Sequence, residues 1–410
     1  MGKKMNYFMG LISGMALMVI VWLAFVPLGN IEIPLRSAPP AAQEDVAAMD
    51  LEGIVNKLNH IYRIIDENYI GEFDVEAAIE LLFAGFVIGV GDPYTVYLSS
   101  DAFAAFQEET DGSFIGIGVS IVVDNTDNRI MVISPFEGSP AHEAGILPGD
   151  KIIRVDGHEV FGDQLREAIN MMRGEAGTEV VVTILRESDG AVIDKTIIRE
   201  VIQTETVRAD ILDGNIGYIR ISQFDRVTYE QFSRAYERLM GEGVDGLILD
   251  VRNNPGGLLT IVNRITDMLV PEGIITFTED AHGNRDYARS DERQIEIPLI
   301  VLVNGNSASA SEILSGAVRD TGVGELLGTT TFGKGLVQNV FPLNDGSAVK
   351  VTVARYFTPA GICIHGEGIV PNHYVEMPVE LTNNLSRLTV EEDIQLTEAI
   401  NIMNERIGGR

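Results

Sequence analysis

Short, almost uninterrupted apolar runs that alternate with helical patterns constrain the fold of this chain more than any other feature. Strands are predicted at Gly217 to Ile221, Gly246 to Val251 and Pro298 to Val303. A helical pattern from Tyr229 to Met240 separates the first two, and another from Ser309 to Arg319 follows the third. Strands that alternate with helices in this way predict a layered α/β core in the last large segment of the chain.

The charge balance and the cysteine content exclude several classes of protein. The chain has 410 residues, with 30 Lys and Arg against 60 Asp and Glu, and a formal net charge of −30. So acidic a chain does not suit nucleic acid, whose backbone phosphates must be neutralised by cations. Cys363 is the only cysteine, so the sequence predicts neither an intrachain disulfide nor a cysteine-rich zinc site.

Residues 1–26 are predicted to form a short cytoplasmic stub and a transmembrane anchor. An uncharged, mostly apolar run from Tyr7 to Val26 follows Lys3 and Lys4, and it is long enough to cross a hydrocarbon core of about 30 Å. No small-x-small cleavage site follows directly, so an uncleaved anchor is favoured over a cleaved signal peptide. The positive-inside rule places the amino terminus in the cytoplasm and the rest of the chain outside.

Residues 27–48, rich in Pro and Ala, are predicted to be a linker, and residues 49–110 a helical segment. Apolar residues recur at three- and four-residue spacing from Leu51 to Ile65, and a second apolar helix is predicted from Val75 to Val90. These apolar faces need a partner, which is either their own domain or a second copy of the chain in a homodimer. A last helical segment, residues 381–410, ends the chain.

Residues 111–201 alternate short β-rich runs with Gly and Pro turns. Gly138 to Ile146, Pro148 to Ile153 and Val155 to Gly157 together resemble the most recognisable stretch of PDZ domains. The resemblance implies a domain that binds peptide carboxyl termini, whose carboxylate meets backbone N–H groups of a glycine-containing loop. That loop comprises Phe114, Ile115, Gly116, Ile117 and Gly118. The alternative is a generic small β-domain whose glycines only form turns.

Common hydrolase and nucleotide-binding signatures are absent or incomplete in this sequence. There is no G-x-S-x-G, and neither His-Glu pair, at His142 and at His158, extends to the zinc motif H-E-x-x-H. Gly328 to Lys334 approaches a phosphate-binding loop, but Gly335 supplies no hydroxyl for Mg²⁺ and a strand-like segment follows. The sequence therefore predicts no cofactor and no metal.

The junction of a strand and a helix at Asn304 to Ile313 carries three serines in the run S-A-S-A-S-E. A serine at the start of a helix lies beside free N–H groups and the positive end of the helix dipole, which suits a developing oxyanion. Ser309 and Glu312 also match a capping box, so this segment alone favours a purely structural serine.

Two further motifs shift the interpretation towards catalysis. Asp250 to Gly257 ends a strand in a pair of glycines, and Phe332 to Gln338 encloses Lys334 between glycines and apolar residues. Together with the serine run, these motifs resemble the carboxyl-terminal processing peptidases, also called tail-specific proteases. The resemblance covers nearly everything beyond the anchor, including Asp92 to Thr95 and Ala354 to Gly361.

The resemblance implies an α/β multidomain fold. It consists of a crotonase-like α/β protease core, residues 202–380, with an inserted PDZ-like β-domain and an N-terminal helical segment behind the transmembrane anchor. It also implies Ser309 as the nucleophile, Lys334 as the general base and Gln338 as the residue that positions the lysine. The implied oxyanion donors are backbone N–H groups, from Ala310 and from either Gly256 or Gly257.

Lysine chemistry makes a demand on the pocket around Lys334. A free lysine, with a pKa near 10.4, is protonated at neutral pH, so this side chain can act as a base only if burial lowers its pKa. Phe332, Leu336 and Val337 are expected to exclude water. The stretch between Glu325 and Asp345 adds no carboxylate.

We therefore expect a membrane-tethered serine endopeptidase that recognises protein carboxyl termini through its PDZ-like domain. It would cleave exported or membrane-exposed proteins through an acyl-enzyme. One alternative is a catalytically silent scaffold that binds carboxyl-terminal tails, and another is a hydrolase with His365 or His373 as its base. The sequence departs from the family at Gly361 to His365 and at Asn372, away from the matched catalytic positions.

Overall fold

The structure is a computed structural model that describes residues 50–382, 385 and 388–409. The predicted anchor and linker, residues 1–48, lie outside these residues. Within the described part of the chain, no helix is both long enough and apolar enough to cross a bilayer. The chain divides after Asp74 into two compact units.

The elements are numbered here in chain order. The helices are α1 (Leu51–Asn68), α2 (Val75–Ile88), α3 (Ser100–Asp111), α4 (Pro140–Glu143), α5 (Leu165–Met172), α6 (Thr228–Glu242), α7 (Leu259–Asp267), α8 (Ala310–Thr321), α9 (Val379–Thr382) and α10 (Ile394–Gly408). The strands are β1 (Val96–Leu98), β2 (Ser113–Gly116), β3 (Val119–Asp124), β4 (Arg129–Pro135), β5 (Lys151–Val155), β6 (His158–Glu159), β7 (Glu179–Arg186), β8 (Ala191–Ile198), β9 (Glu200–Gln203), β10 (Val207–Leu212), β11 (Ile216–Ile221), β12 (Gly246–Asp250), β13 (Gly273–Asp280), β14 (Arg285–Ser290), β15 (Leu299–Val303), β16 (Glu325–Gly328), β17 (Leu336–Pro342), β18 (Ala348–Phe357) and β19 (His373–Tyr374).

The predicted α/β core is built on a six-stranded sheet in the order β10-β11-β12-β15-β16-β19. In this sheet, β11, β12, β15, β16 and β19 pair in parallel with their neighbours. Strand β10 pairs antiparallel with β11 at one edge. Every residue of β12 and of β15 is buried. Because parallel sheets are covered on both faces, their central strands consist of nearly continuous apolar runs, as the sequence indicates here.

The two faces of this sheet are covered by different parts of the chain. Leu247 and Leu249 pack in one apolar cluster with residues of α6, α7 and α8. Ile248, between them, points to the opposite face and packs in a second cluster with residues of α10, such as Met403. The alternation follows from the two-residue period of a strand. Helix α8, which follows β15, therefore begins at the carboxyl end of the sheet.

A second sheet lies beside the core, with the order β1-β18-β13-β14 and with β17 also paired to β18. Strand β1 was not predicted, because the region up to residue 110 has a mainly helical pattern. It pairs antiparallel with β18, and Val96 lies opposite Lys350. The turn before β1 is stabilised by Asp92, whose carboxylate accepts from the Tyr94 N–H and from the Thr95 hydroxyl.

Residues 117–198 form the PDZ-like domain, with a sheet in the order β3-β4-β5-β7-β8 and with its own apolar cluster. The apolar run from Ile115 to Val123 predicts a single strand, but this prediction was wrong, because the chain breaks at Gly118 between β2 and β3. Gly118 has a φ of 74°, and its carbonyl accepts hydrogen bonds from the Ser139 hydroxyl and the Phe136 N–H. Strand β2 pairs instead with β9 in a separate two-stranded ribbon.

The helices at the amino-terminal side are strongly exposed. Helix α1, in the first unit, begins at Asp50, whose carboxylate accepts from the Gly53 N–H, and buries none of its residues. Helix α2, in the second unit, buries only Val87 and leaves Leu81 and Phe86 more than two-thirds exposed, at 72% and 68%. Whether these faces pair with a second copy stays a prediction.

Candidate active site

The three serines of the S-A-S-A-S-E run differ in what their hydroxyls do. The Ser307 hydroxyl donates to the carbonyl of Val251, and the Ser311 hydroxyl donates to the carbonyl of Asn254, at 2.8 and 2.9 Å. Both side chains are fully buried. Ser309 is only partly buried, and although it keeps the capping-box arrangement with Glu312, the described hydrogen bonds include none that its hydroxyl donates. Of the three, it alone is placed to react.

The backbone at Ser309 has an unusual conformation. This residue precedes the first turn of α8 with a φ of 54° and a ψ of −112°, in a region that side chains other than glycine rarely adopt. Such strain costs about 1–3 kcal/mol and persists only where surrounding contacts enforce it. The Tyr356 hydroxyl supplies one such contact by donating to the Ser309 carbonyl at 3.0 Å.

The Gly256–Gly257 pair lies directly against this serine. A Cβ atom on Gly256 would lie 2.8 Å from the Ser309 Cβ and 3.0 Å from the Ala310 nitrogen, so only glycine fits. The Gly256 N–H donates to the Asn254 side-chain oxygen at 2.9 Å. Among the described hydrogen bonds, none uses the N–H of Gly257 or of Ala310. Of the two glycines left open by the sequence, Gly257 is therefore the one with a free donor.

Glu312 links the segments that carry the serine and the lysine. Its carboxylate is fully buried and accepts four hydrogen bonds, three of them from main-chain N–H groups. The donors are the Ser309 N–H at 2.9 Å, the Thr331 hydroxyl at 2.6 Å, the Gly333 N–H at 2.7 Å and the Lys334 N–H at 2.8 Å. The sequence assigned Glu312 only half of a capping box, and the structure adds the loop before β17 to its partners.

The Lys334 side chain is largely buried, and burial lowers its pKa to about 8. The nearby cation Lys350 acts in the same direction, while Asp92 and Glu312 oppose it. The Lys334 Nζ lies 4.8 Å from the centroid of the Tyr94 ring. The described hydrogen bonds include none between Lys334 Nζ and Ser309 Oγ.

The walls of the lysine pocket differ from those expected. Phe332 is 52% exposed, so the expectation that it excludes water was wrong, whereas Val337 packs against the core. The two neighbours of Phe332 both donate to the Glu312 carboxylate, Thr331 through its hydroxyl and Gly333 through its N–H. Because these hydrogen bonds fix the loop on either side, the Phe332 side chain turns outward. The Tyr94 ring covers the lysine instead.

Gln338 lies on β17, opposite Thr352 of β18. Its side-chain nitrogen donates to the Thr352 hydroxyl at 3.4 Å, and the described hydrogen bonds include none from Gln338 to Lys334. The Thr352 N–H in turn donates to the Thr95 hydroxyl at 3.1 Å. Gln338 therefore connects β17, which follows the lysine loop, through Thr352 to the turn that carries Tyr94.

The predicted carboxylate-binding residues are divided between two elements. Phe114, Ile115 and Gly116 belong to β2, where they pair with β9, and only Ile117 and Gly118 lie in the connection to β3. Ile117 is buried in the apolar cluster of the PDZ-like domain. The binding role of this loop stays a prediction.

The turn before the glycine pair is held by a buried ionic cluster. Arg252 is 1% exposed and contacts Asp250 and Asp393 through both terminal nitrogens and Nε, at 2.7 to 3.0 Å. Asp393 also caps the first turn of α10, because its carboxylate accepts from the Leu396 N–H, and the helix begins at Ile394. A buried guanidinium requires such partners.

The sequence did not reveal two groups beside the base, Tyr94 and Lys350. Tyr94 lies within a run that carries the family resemblance, but it is far from Lys334 in the chain, so no local pattern connects them. Lys350 sits in an ordinary strand pattern. In the described residues, no group of three or more His, Cys, Asp or Glu side chains is arranged to hold a metal ion.

Two comparisons with known families match these regions. The pattern of peptidase family S41 matches residues 215–375, and that of PDZ domains matches residues 132–186. The first range contains the free serine, the glycine pair and the buried lysine. The fold and the site thus define a serine peptidase core joined to a PDZ domain.

Individual relatives narrow this class. Carboxy-terminal processing protease CtpA of Bacillus subtilis (strain 168) is 37% identical over 325 residues, 79% of this chain and 69% of the relative. The carboxyl-terminal-processing protease of Synechocystis sp. is 37% identical over 317 residues, 76% of this chain and 74% of that protein. A solved photosystem II D1 C-terminal processing protease is 33% identical, with a TM-score of 0.47, and covers 83% of this chain and 92% of its own. The chain belongs to the carboxy-terminal processing proteases of peptidase family S41, and it is a serine peptidase.

Proposed function

We propose that the protein is an endopeptidase in which Ser309 is the nucleophile and Lys334 the general base. The observation that carries this proposal is the Glu312 carboxylate, which accepts from the main-chain N–H of both residues, at 2.9 and 2.8 Å. One buried side chain thus fixes the start of the nucleophile helix relative to the lysine loop. The free Ser309 hydroxyl and its strained backbone support the same assignment.

The lowered pKa of Lys334 makes the first chemical step feasible. With a pKa of about 8, Lys334 is a neutral amine in a fraction of the enzyme molecules near pH 7. This amine accepts the Ser309 hydroxyl proton while Oγ bonds to the scissile carbonyl carbon. In substrate-free enzymes such contacts are often long and tighten in the complex, so the proposal includes closure of the Ser309–Lys334 gap on substrate binding.

The remaining steps use the same groups. The N–H groups of Gly257 and Ala310 donate to the carbonyl oxygen as it gains negative charge. The Lys334 ammonium then protonates the leaving amine, which leaves an acyl ester on Ser309. Water attacks this ester while Lys334 takes one of its protons, and when the ester C–O bond breaks the Lys334 ammonium returns that proton to Ser309 Oγ and the carboxylic acid product leaves. In this scheme the Gln338 amide oxygen accepts from Lys334 in the substrate-bound form.

The substrates proposed are proteins with accessible carboxyl termini. The support is the PDZ domain, since PDZ domains add an extended peptide to a sheet edge and hold its terminal carboxylate with backbone N–H groups. By analogy with its relatives, which are carboxy-terminal processing proteases, cleavage near the carboxyl end of the substrate is proposed. The predicted anchor favours exported or membrane-exposed proteins as substrates. The N–H groups of Ile117 and Gly118 remain the proposed carboxylate donors.

The proposed location is the cell membrane, with a single-pass anchor, a cytoplasmic amino terminus and an extracytoplasmic catalytic region. Support comes from the apolar run from Tyr7 to Val26 and the two lysines before it. Fractionation of cells that express the full chain tests this: the protein should enter the membrane fraction and resist extraction by carbonate. Protease added outside intact cells should degrade it.

A homodimer is also proposed, on the basis of the exposed apolar residues of α2. Light scattering of the detergent-solubilised chain should give twice the mass of one copy. Changing Phe86 to Asp should reduce that mass to one copy. A variant that keeps the mass of two copies, or a natural protein with the mass of one copy, would contradict the proposal.

The dyad is tested by cleavage of an unfolded exported protein with the full-length chain. Ser309→Ala and Lys334→Ala should each lower kcat/KM at least about 10³-fold. Ser315→Ala is a matched control, because this serine lies later on α8 and its hydroxyl donates to a main-chain carbonyl. It should stay within about threefold of the natural enzyme. Full activity in either dyad variant would refute the assignment.

The same assay separates the alternatives. A catalytically silent scaffold would give no cleavage with the natural sequence while still binding carboxyl-terminal peptides. A histidine-based hydrolase would lose activity in His365→Ala or His373→Ala and keep it in Lys334→Ala. The structure gives His373 another partner, since its side chain bonds to Glu325.

A further inference from the structure

The two proposed oxyanion donors lie at two separate turns of the peptidase core. Gly257 belongs to the turn after β12, residues 251–258, called the glycine turn here. Ala310 directly follows the turn after β15, residues 304–309, called the serine turn. Because β12 and β15 are parallel neighbours, both turns leave the same edge of the sheet. A displacement of about 1 Å at a reacting centre can cost on the order of 10²-fold in rate, so the two turns must be held in register.

Three asparagine side chains join these turns. The Asn253 N–H donates to the Asn304 side-chain oxygen at 3.0 Å, and the Asn304 side-chain nitrogen donates back to the Asn253 side-chain oxygen at 2.8 Å. The Asn306 side-chain nitrogen donates to the same Asn253 oxygen at 3.0 Å. These three residues are called the amide clamp below. Among the described hydrogen bonds, only the clamp joins the two turns through bonds between side chains.

Asn304, the inner member of the clamp, is 5% exposed, and all of its described side-chain partners lie in the two turns. Its side-chain oxygen also accepts from the Asn306 N–H at 3.1 Å, and its own N–H donates to the Ser307 hydroxyl at 2.9 Å. A buried amide that loses its partner is costly, because water cannot replace the hydrogen bond. The pairing with Asn253 therefore fixes the separation of the two turns.

The backbone at Asn253 does not itself require asparagine. Its φ of 58° lies in the left-handed region, which asparagine tolerates and glycine adopts more readily. The side-chain nitrogen of Asn253 donates to the Thr382 carbonyl at 2.7 Å, outside both turns. With glycine in its place, the turn would keep its conformation but lose the oxygen that accepts from Asn304 and Asn306. The role of this residue is therefore to be sought in its side-chain oxygen.

Asn253 is directly followed by the residues that set the two free N–H groups. The side-chain oxygen of Asn254 takes the Gly256 N–H, which leaves Gly257 with the free donor. The carbonyl of Asn254 accepts from the Ala308 N–H at 3.0 Å, two residues before the second donor. A shift of one turn against the other at the clamp would therefore change the direction of both donors.

We propose that Asn253 and Asn304 are positioning residues for the oxyanion site. Their paired side-chain amides hold the glycine turn and the serine turn so that the N–H groups of Gly257 and Ala310 point at one carbonyl oxygen. The inference rests on the proposed role of these two N–H groups and extends it to the residues that align them. Neither asparagine contacts the substrate in this scheme, so the clamp acts on the chemical step and not on substrate binding.

The first test removes the clamp oxygen from the full-length enzyme without disturbing the backbone. Asn253→Gly suits the positive φ, so the variant should fold. Its kcat on a short peptide substrate should fall about 10- to 100-fold, while KM stays within about twofold. Asn253→Asp keeps an oxygen for Asn304 and Asn306 and loses only the donation to Thr382, so it should recover most of kcat. An unchanged kcat in Asn253→Gly, or an equal loss in Asn253→Asp, would overturn the proposal.

Asn215 provides a matched control at the amino ends of the same strands. It precedes β11 with a φ of 57°, and its side-chain nitrogen donates to the Gly243 carbonyl and the Asp245 carboxylate, at 2.8 and 2.9 Å. Asn215→Gly therefore removes a similar link between two turns, and kcat should stay within about twofold of the natural enzyme. A loss equal to that of Asn253→Gly would attribute the effect to general loosening of the core and overturn the proposal.

A second measurement reads the oxyanion site without turnover. A peptide aldehyde adds to a reactive serine, and the oxygen of the adduct lies where the carbonyl oxygen gains charge, whereas the corresponding peptide alcohol forms no adduct. In Asn253→Gly the inhibition constant of the aldehyde should rise at least about tenfold, and that of the alcohol should not change. Equal aldehyde affinity in both proteins would refute the clamp and leave the Ser309 assignment standing. An aldehyde that binds the natural enzyme no tighter than the alcohol would refute the Ser309 nucleophile, and the clamp with it.

Discussion

Two lysines, one in the PDZ domain and one in the peptidase core, have pKa values that their surroundings shift in opposite directions. Lys151 on β5 contacts Asp124, Asp127 and Glu187, and these three carboxylates raise its pKa. Lys334 has no ion-pair partner among the described residues, and burial lowers its pKa to about 8. Lys151 is therefore a permanent positive charge, and its ion pairs hold the end of β3 and the end of β7 against β5. The second lysine is the proposed proton acceptor.

The difference between the two pKa values follows from whether nearby carboxylates can form ion pairs with the lysine. Around Lys151, loops at the ends of β3 and β7 supply acidic side chains within 2.7 to 3.1 Å. Around Lys334, the nearest acidic groups are engaged elsewhere: Asp92 with its own turn and Glu312 with four other donors. An acidic protein can thus hold a neutral amine if its carboxylates are already fully hydrogen-bonded.

The largest expected contrast between the two lysines is in activity. Lys334→Met should lower kcat/KM for a short peptide substrate at least about 10³-fold, because the base is lost. Lys151→Met should leave kcat/KM per folded molecule within about threefold, since Lys151 touches no catalytic group. Steady-state kinetics with active-site titration provide the comparison. Comparable losses in both variants would remove the distinction drawn here.

Stability should change in the opposite sense. Lys151→Met leaves three carboxylates without their cation and should lower the midpoint of thermal unfolding. Lys334→Met removes a partly buried charge and should raise the free energy of unfolding at pH 7 by about 1–3 kcal/mol. Chemical denaturation followed by circular dichroism measures both. A destabilised Lys334→Met protein would contradict the absence of a stabilising partner for this lysine.

The pH dependence should also separate the two residues. Because the folded pKa of Lys334 is about 8 and the unfolded value is near 10.5, the unfolded chain binds more protons between these limits. Lys334 therefore makes stability rise with pH from about 8 to 10.5, and this rise should vanish in Lys334→Met. Activity should increase over the lower part of the same range, with a midpoint near pH 8. A flat activity profile from pH 7 to 9 would count against the lysine as base.

The smallest expected effect concerns the tyrosine that covers the base. Tyr94→Phe keeps the ring and should change kcat by less than about twofold. Tyr94→Leu admits water to Lys334, which weakens the burial that lowers its pKa, and should lower kcat at pH 7 by about three- to tenfold. The comparison isolates the aromatic face from the hydroxyl. Equal rates in the two variants would show that the ring does not shield Lys334.

Much of the core could be predicted from the sequence because its signals are local. The continuous apolar runs of β12 and β15 and the start of a helix after Ser309 depend on periodicity and on short motifs. The glycine requirement beside Ser309 was also visible as a pair. Which glycine keeps a free N–H was not, because that depends on the amide oxygen of Asn254, which takes the N–H of Gly256.

The lysine pocket could not be assembled from the sequence. Tyr94 reaches Lys334 only because β1, which follows it, and β17, which follows the lysine, pair with the same strand, β18. Such pairings join distant parts of the chain and leave no local pattern. The exposure of Phe332 was mispredicted for a related reason, since the hydrogen bonds to Glu312, not hydrophobicity, set the direction of that loop.

The ionic cluster at Arg252 has a consequence for when this protease can become active. Arg252, four residues before Gly256, receives one of its carboxylates from Asp393, which follows it in the chain by 141 residues. Until translation passes that point, the guanidinium has Asp250 but not Asp393 as a partner, and the turn next to Ser309 lacks the support that Asp393 adds. A chain that ends before Asp393 therefore carries the serine and the lysine, but the turn at the proposed oxyanion site lacks part of its support.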